Sequence, residues 1–375
     1  MRRRRGMWLV FAAVLFALAA WLMLSGQGEQ EAPAAMRVDF PQQLRDPEAQ
    51  RVERRRTYTA PGPVAVADAG PSPARPRDPV LAALPRGKGK SAVIIEANAL
   101  RHSPLGELLL ECLMRRGRDG LERFKRETGV DPLQDLDRMI VSDDGIILSG
   151  NFGDPRLRQA LQGSAQTGYD YGQQGRLFEP PSRPGRANDV PPMALWNNQM
   201  LMIGDSPDGL KAVLDRVEGR GDQDEPPVLD EEKTYGEMYG VLSVEQLRKL
   251  LHPDQQELAA RLAEVAENVE LHVDASSDFA MTAQVKGADA QKLTDLGKSL
   301  GGALSLARFK AQHDGNTRLA QLLDFAKVRP DGNTFNLDVA VPLDVIQQQL
   351  SFCREREDGA PPPAPPDGAR QGPPP

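Results

Sequence analysis

The sequence predicts an α+β protein. It reads as two related modules of antiparallel sheet with helices on one face, a ferredoxin-like or similar split β-α-β arrangement, preceded by one transmembrane helix and a disordered linker. Three observations predict this. Residues 91–220 and 234–353 carry apolar periodicities of both strand and helix type, in the same order in each region. The flanking regions are rich in proline and alanine and lack sustained periodicity. Near the start, an uncharged run from Met7 to Leu24 follows four arginines.

That run comes first in the chain. Eighteen residues without a charge cover about 27 Å as a helix, enough to span a bilayer. Residues 1–6, "MRRRRG", form a cytoplasmic basic end, and the positive-inside rule places everything beyond Ser25 outside the cytoplasm. A cleaved signal peptide is the alternative, with "APA" at Ala32 to Ala34 as the cut. The apolar run exceeds the usual core of such a peptide and the cut lies far from its end, so residues 7–24 are read as a signal anchor. Ala13 and Ala17 have a spacing that pairs anchors, but alanine is too common here to give it weight.

Residues 25–90 read as a Pro/Ala-rich tether, extending on the order of 200 Å in a polyproline II state. In the first module (91–220), "SAVIIEAN" reads as a strand and Leu100 to Thr128 as a helix broken at Arg116 to Asp119. "RMIVSDD" and "GIILSGNF" are paired strands turning at Asp144-Gly145, a dipeptide suited to a tight hairpin. The helix "DPRLRQALQ", strands around "TGYDYGQQGRLFE", a hairpin turning at Asn197-Asn198 and a helix after Ser206 complete it. An acidic linker at 221–233 separates the modules. The second (234–353) holds the strand "GEMYGVLS", two helices, the paired strands "VELHVDA" and "DFAMTAQVKG", and a long helix from Asp289 to about Gln312. Two strands turning at Asp331-Gly332 and a last helix close it. Residues 354–375 form a Pro-rich disordered tail, a spacer or a ligand for an aromatic groove.

"ETGVDPLQDLDRMIVS" (Glu127 to Ser142), a hairpin and then "GNFGDPRLRQAL" resemble a pattern in uncharacterised membrane-anchored or secreted bacterial proteins, notably of myxobacterial and planctomycete type. The resemblance covers roughly Ser91 to Leu350. It implies an extracytoplasmic bacterial protein and carries over no activity and no functional residue. Its Gly-Val-Asp-Pro-Leu segment also reads simply as a helix stop and turn.

The chemistry-bearing motifs are few. "GDS" at Gly204 to Ser206 resembles the nucleophile block of a GDSL-type hydrolase, which needs a histidine base with an aspartate three residues before it. His102, His252, His272 and His313 are preceded at that distance by Ala99, Lys249, Val269 and Lys310, and "GRAND" at Gly185 to Asp189 precedes the serine. Ser206 is therefore read as a helix N-cap ahead of Pro207 and Asp208, with Asp154 and Pro155 repeating the device. "RGKGKSA" at Arg86 to Ala92 lacks the spacing of a phosphate loop and reads as the solvated end of the tether. Asp135 and Asp137 begin a strand where a metal-binding pair would end one, and Asp143 and Asp144 read as turn residues. His272 shares a strand face with Asp274 and is read as half-exposed. Cys112 and Cys353 fit no metal motif, and a disulfide and a buried free thiol both remain open.

No catalytic, cofactor-binding or metal-binding residue is therefore expected. A net charge of −7 argues against nucleic acid, whose binding rests on neutralising phosphates. The expected function is a single-pass membrane-anchored extracytoplasmic binding or scaffold protein of the bacterial envelope. It would touch the membrane through residues 7–24, have envelope protein partners, and lie in the inner membrane with its C-terminal domains periplasmic or extracellular. The alternatives are an envelope polymer-modifying hydrolase or transferase whose site assembles only in three dimensions, and a regulatory or assembly factor for partner membrane proteins.

Overall fold

The computed structural model describes residues 78–163, 167–180, 190–221, 224–250 and 256–349. The expected anchor, most of the tether, the 354–375 tail and His252 lie outside the described residues. The first half contains α1 (Pro79–Ala83), β1 (Ala92–Ile95), α2 (Ala97–Arg101), α3 (Pro104–Thr128), β2 (Leu136–Ser142), β3 (Gly145–Gly150), α4 (Pro155–Gly163), β4 (Thr167–Tyr171), β5 (Gly175–Glu179), β6 (Met193–Trp196), β7 (Met200–Ile203) and α5 (Pro207–Val217). The second contains β8 (Met238–Ser243), α6 (Val244–Leu250), α7 (Gln256–Val265), β9 (Asn268–Asp274), β10 (Phe279–Lys286), α8 (Ala290–His313), α9 (Thr317–Asp324), β11 (Ala326–Asp331), β12 (Thr334–Val341) and α10 (Leu343–Gln349). The α+β class with antiparallel sheet is as the sequence predicts.

The strands form one sheet of twelve, ordered β11-β12-β10-β9-β8-β1-β2-β3-β7-β6-β5-β4. Read outward from the centre, the halves run β1-β2-β3-β7-β6 and β8-β9-β10-β12-β11. The strand order therefore repeats, with β4 and β5 added to the first half. Every pairing is antiparallel. This corrects the split β-α-β expectation. Such a unit joins parallel strands and leaves room for another between them, whereas β1 and β2, joined through α2 and α3, are antiparallel neighbours.

The halves meet where β1 pairs with β8, Ala92 opposite Val241 through Ile95 opposite Met238. Gly240 sits in this seam. A Cβ there would lie 2.2 Å from the Ala92 carbonyl oxygen and 2.6 Å from Val93 Cα, so the missing side chain lets the strands close. Both ends are clamped. Ser91 Oγ donates to Ser243 Oγ (2.9 Å) and accepts the Ser243 N–H (3.0 Å), while the Glu96 N–H donates to the Glu237 carbonyl (2.8 Å) and the buried Tyr239 hydroxyl to Glu96 Oε1 (2.6 Å).

Helices cover both faces of the first half, contrary to the expected single face. Alternate strand residues explain this. Ile94, Ile140, Ile147, Leu177 and Met202 bury against α1 and α5 on the front, while Phe178, Leu195 and Leu201 bury against Leu157 and Leu161 of α4 on the back. In the second half α7 and α8 cover the back, through Leu262 and Leu293 on Val269, Val285 and Phe335. Across the back of the seam lies α3, with Leu105 and Leu108 clustered against Ala275 and Ile346 of the second half. It runs unbroken for 25 residues, without the expected interruption at Arg116 to Asp119, from the Ser103 cap to Gly129, whose left-handed backbone (φ +74°) ends it. The turn between β2 and β3 is Asp143-Asp144, one residue earlier than predicted, because Ser142 pairs with Gly145.

Two boundaries also move. The described fold reaches back to Asp78, inside the expected tether. Asp78 caps α1 by accepting the Val80 N–H (2.9 Å), and Val80, Ala83 and Leu84 are fully buried. Part of the acidic linker is likewise core: Leu229 is buried, Pro227 bridges to Arg86, and the Val228 N–H donates to the Pro85 carbonyl (3.0 Å). Apolar residues among the prolines and acidic groups anchor both segments. Leu84→Ala should cost about 2–5 kcal/mol; a urea midpoint unchanged by it would place α1 outside the core.

Candidate functional site

The motifs singled out in the sequence hold structural positions. Ser206 caps α5: its Oγ accepts the Gly209 N–H at 3.1 Å, with Pro207 in the first turn. Asp154 does the same for α4, accepting the Arg156 N–H at 2.9 Å ahead of Pro155. Asp135 accepts the Asp131 N–H (2.7 Å) inside a turn, and Asp137 lies at the irregularity in β2 between Leu136 and Arg138. Asp144 pairs with Arg216 of α5. Asp143 proves to be a junction as well as a turn residue, accepting the Ser91 N–H (2.7 Å) and Gln246 Nε2 of α6 (2.6 Å), one group from each half. No three metal-ligating side chains gather among the described residues. No described helix is long and apolar enough to cross a membrane.

The densest polar arrangement lies on the front of the second half, where no described α-helix packs and a 3-10 turn at Glu231–Lys233 sits against the sheet. β9 turns Glu270, His272 and Asp274 to this face, and register sets Tyr239 on one side of His272 and Thr282 on the other. His272 is 2% exposed, against the half-exposed expectation, because the Tyr235 ring stacks on it at 3.8 Å between centroids. Its Nε2 lies 3.1 Å from Glu270 Oε1. Glu270 Oε2 takes Lys286 and, at 3.1 Å, Lys233. Further along the face Asp338 accepts the Thr282 hydroxyl (3.0 Å) and pairs with Arg329.

Burial by itself would raise the Glu270 carboxyl, but hydrogen bonds from His272, Lys286 and Lys233 outweigh it and hold the group at about 2. A carboxylate so strongly ionised, with both oxygens engaged, is a poor proton acceptor near neutral pH. Its work is mechanical. Lys233 and Tyr235 belong to the segment joining the halves, and Glu270 and His272 pin that segment to the sheet. A second buried pair performs the matching task in the first half: Arg138 makes two bonds to Asp78, of 2.6 and 3.0 Å, and fixes α1. Burial would lower the Arg138 guanidinium, but Asp78 outweighs it and the net shift is upward.

Among the described residues, a small open cleft and the sheet edges are accessible. The cleft, about 320 Å³, lies at the end of α3 between Glu122, Lys125, Arg126, Gly129 and Arg156. Lys125 and Arg156 are already paired there, with Asp131 and Asp154. Of the two edges, β11 carries Lys327, Arg329 and Pro330, residues that discourage further strand pairing. β4, "TGYDY", carries neither lysine nor proline and is largely exposed. Its hairpin is held rigidly: Tyr171 donates to Asp215 of α5 (3.1 Å), Arg220 lies 5.2 Å over the Tyr171 ring, and the Gln173 and Gln174 N–H groups donate to Glu218 at 2.8–3.0 Å. Burial would raise Glu218, but these N–H groups outweigh it and lower the carboxyl. Cys112 is disulfide-bonded; the chain's other cysteine, Cys353, lies outside the described residues.

Sequence reasoning missed the β4 edge, the Asp143 junction and the Glu270 cluster. Only Glu270 had a local signal, since it shares the face of His272 at a spacing of two. Comparison with protein-family models, curated proteins and solved structures finds no match to this chain.

The Glu270 cluster makes a pH prediction. The folded value of about 2 lies below the ordinary 4.5, so its contribution is complete above about pH 4.5 and is lost as pH falls toward 2. The urea midpoint of the wild-type chain should exceed that of Glu270→Gln near neutral pH, and the gap should close between about pH 4.5 and 2. A gap independent of pH would contradict this account of Glu270.

Proposed function

We propose that the chain is a single-pass, membrane-anchored binding or scaffold protein of a bacterial envelope, with its sheet domain outside the cytoplasm. The observation that carries the binding role is the β4 edge: exposed, without lysine or proline, and fastened to α5 by the Tyr171–Asp215 bond and to the turn after α5 through Glu218 and Arg220. A firmly held edge with no strand partner among the described residues offers main-chain donors and acceptors to an extended partner segment, and preorganisation lowers the cost of binding. The commitment of Ser206 and Glu270 to structural bonds favours binding over hydrolysis. The location rests on the arginine-flanked apolar run at Met7 to Leu24 and gains support from the disulfide at Cys112, a bond that persists in oxidising compartments.

The test is crosslinked recovery of partners by the full anchored chain from its native envelope, with and without Thr167→Lys and Asp170→Lys together. Both positions lie on β4 and are exposed, so the fold should tolerate lysine while the edge is blocked. A reproducible partner should be recovered by the wild-type chain and lost with the lysines. Recovery of no reproducible partner, or equal recovery by both chains, would sink the proposal.

A further inference from the structure

Large apolar side chains stand clear of the surface mainly on α8. Leu306 is 68% exposed and Phe309 65%. They lie three residues apart, and Gly302 and His313 continue the same stripe at helical spacing. Small residues leave the stripe open: a Cβ at Gly302 would meet nothing within 4 Å. The opposite side of α8 is already satisfied. Leu293 and Gly297 bury against the second-half core, including Phe335, and Ala311 packs with Ala320 and Leu323 of α9. The C-terminal half of this helix is thus apolar on both sides, and only one side has a neighbour among the described residues.

Lysines border the exposed apolar side chains, and the acids Asp295 and Asp314 stand at the two ends of the stripe, Asp314 lying 3.7 Å from His313 Nδ1. Lys298 and Lys310, both exposed, flank it within one turn of Gly302 and Phe309. Arg308 is turned away, paired with Asp324 at 2.7 Å and donating to the Leu323 carbonyl. Asp295, further toward the start of the helix, is engaged by Gln291. Apolar side chains between lysines suit an interface whose interior is hydrocarbon and whose rim is anionic. Two copies of α8 laid parallel would bring like lysines together, which disfavours that arrangement of a second chain.

We propose that the outward face of α8, from Lys298 to His313, docks on the surface of an anionic phospholipid bilayer. This rests on the reading of residues 7–24 as a membrane anchor. Positions 25–77, the 53 residues between Leu24 and Asp78 (77 − 24 = 53), would average about 40 Å end to end as a coil. The sheet then stays within roughly its own dimensions of the bilayer, and even a weak patch meets lipid at high effective concentration. Docking would convert a loosely held domain into one with a fixed orientation. With a net charge of −7 on the whole chain, a basic patch is also the part that an anionic surface attracts.

The full chain would be reconstituted into vesicles of phosphatidylglycerol and phosphatidylcholine, and into phosphatidylcholine alone, with the photocrosslinker p-benzoylphenylalanine replacing Phe309 or, as a reference, Tyr169. The expected result is a lipid adduct from position 309 in the anionic vesicles, about tenfold above that from position 169, and about tenfold weaker with Lys298→Glu and Lys310→Glu together. An adduct with a second copy in place of lipid, equal lipid adducts at both positions, or none at 309 would overturn the docking. Flotation with the vesicles reads the anchor separately. A chain that floats without a 309 adduct removes the docking alone, whereas one that fails to float removes the anchor reading and the docking with it.

Discussion

The antiparallel pairing of β1 with β8 is the constraint on which the rest of the molecule depends. Each half presents a first strand that would otherwise be a raw edge, with unpaired main-chain groups. Joining them removes two edges at once and leaves β4 and β11 at the ends of the sheet that the described strands form. The join is demanding. It needs Gly240, because any side chain there would strike Ala92, and it is fastened at one end by Ser91, Ser243, Asp143 and Gln246 and at the other by Glu96, Glu237 and Tyr239. Across its back runs α3, which draws Leu105 and Leu108 into contact with the second half. The halves therefore behave as one body by construction.

Buried charge follows from the same geometry. The front face of the first half is closed by α1 and α5 over an apolar cluster and also holds the Arg138–Asp78 pair, whereas on the front of the second half no described α-helix packs and paired polar groups fill the face. Paired, hydrogen-bonded charges can occupy such a face where lone ones would be excluded. Glu270, held by His272, Lys233 and Lys286, and Arg138, held by Asp78, both tie segments that flank a half to its sheet. Charge here replaces the apolar surface that a short, proline-rich or acidic segment cannot supply.

Much of the fold was legible in the sequence wherever a local rule set it. The order of elements followed from periodicity, the Asn197-Asn198 turn from residues that accept positive φ, and the Ser206 and Asp154 caps from a serine or aspartate placed before proline. Gly129 likewise announced the end of α3. What stayed hidden was decided at long range. β1 and β8 lie well over a hundred positions apart, and no local pattern says which strand edge meets which. Gly240 inside "MYGVLS" was the one hint, since glycine within a strand marks a close approach. α1 was masked by neighbouring prolines, and His272 looked half-exposed because Tyr235, which covers it, comes from a segment with no regular structure. Asp143 was read as a turn residue, which it is, but its bonds to Ser91 and Gln246 exist only once the halves have met.

Native-state hydrogen exchange of the β1 and β8 amides tests the seam most directly. If the two halves form a single cooperative sheet, the amides of Ala92, Ile94, Tyr239 and Val241, which face across the seam, should exchange only with global unfolding. Their apparent free energy of opening should match that of the core strands β2 and β9 and fall with denaturant at the same slope. Exchange of the seam amides through a cheaper opening, while β2 and β9 remain protected, would show two separable halves in contact and contradict the account.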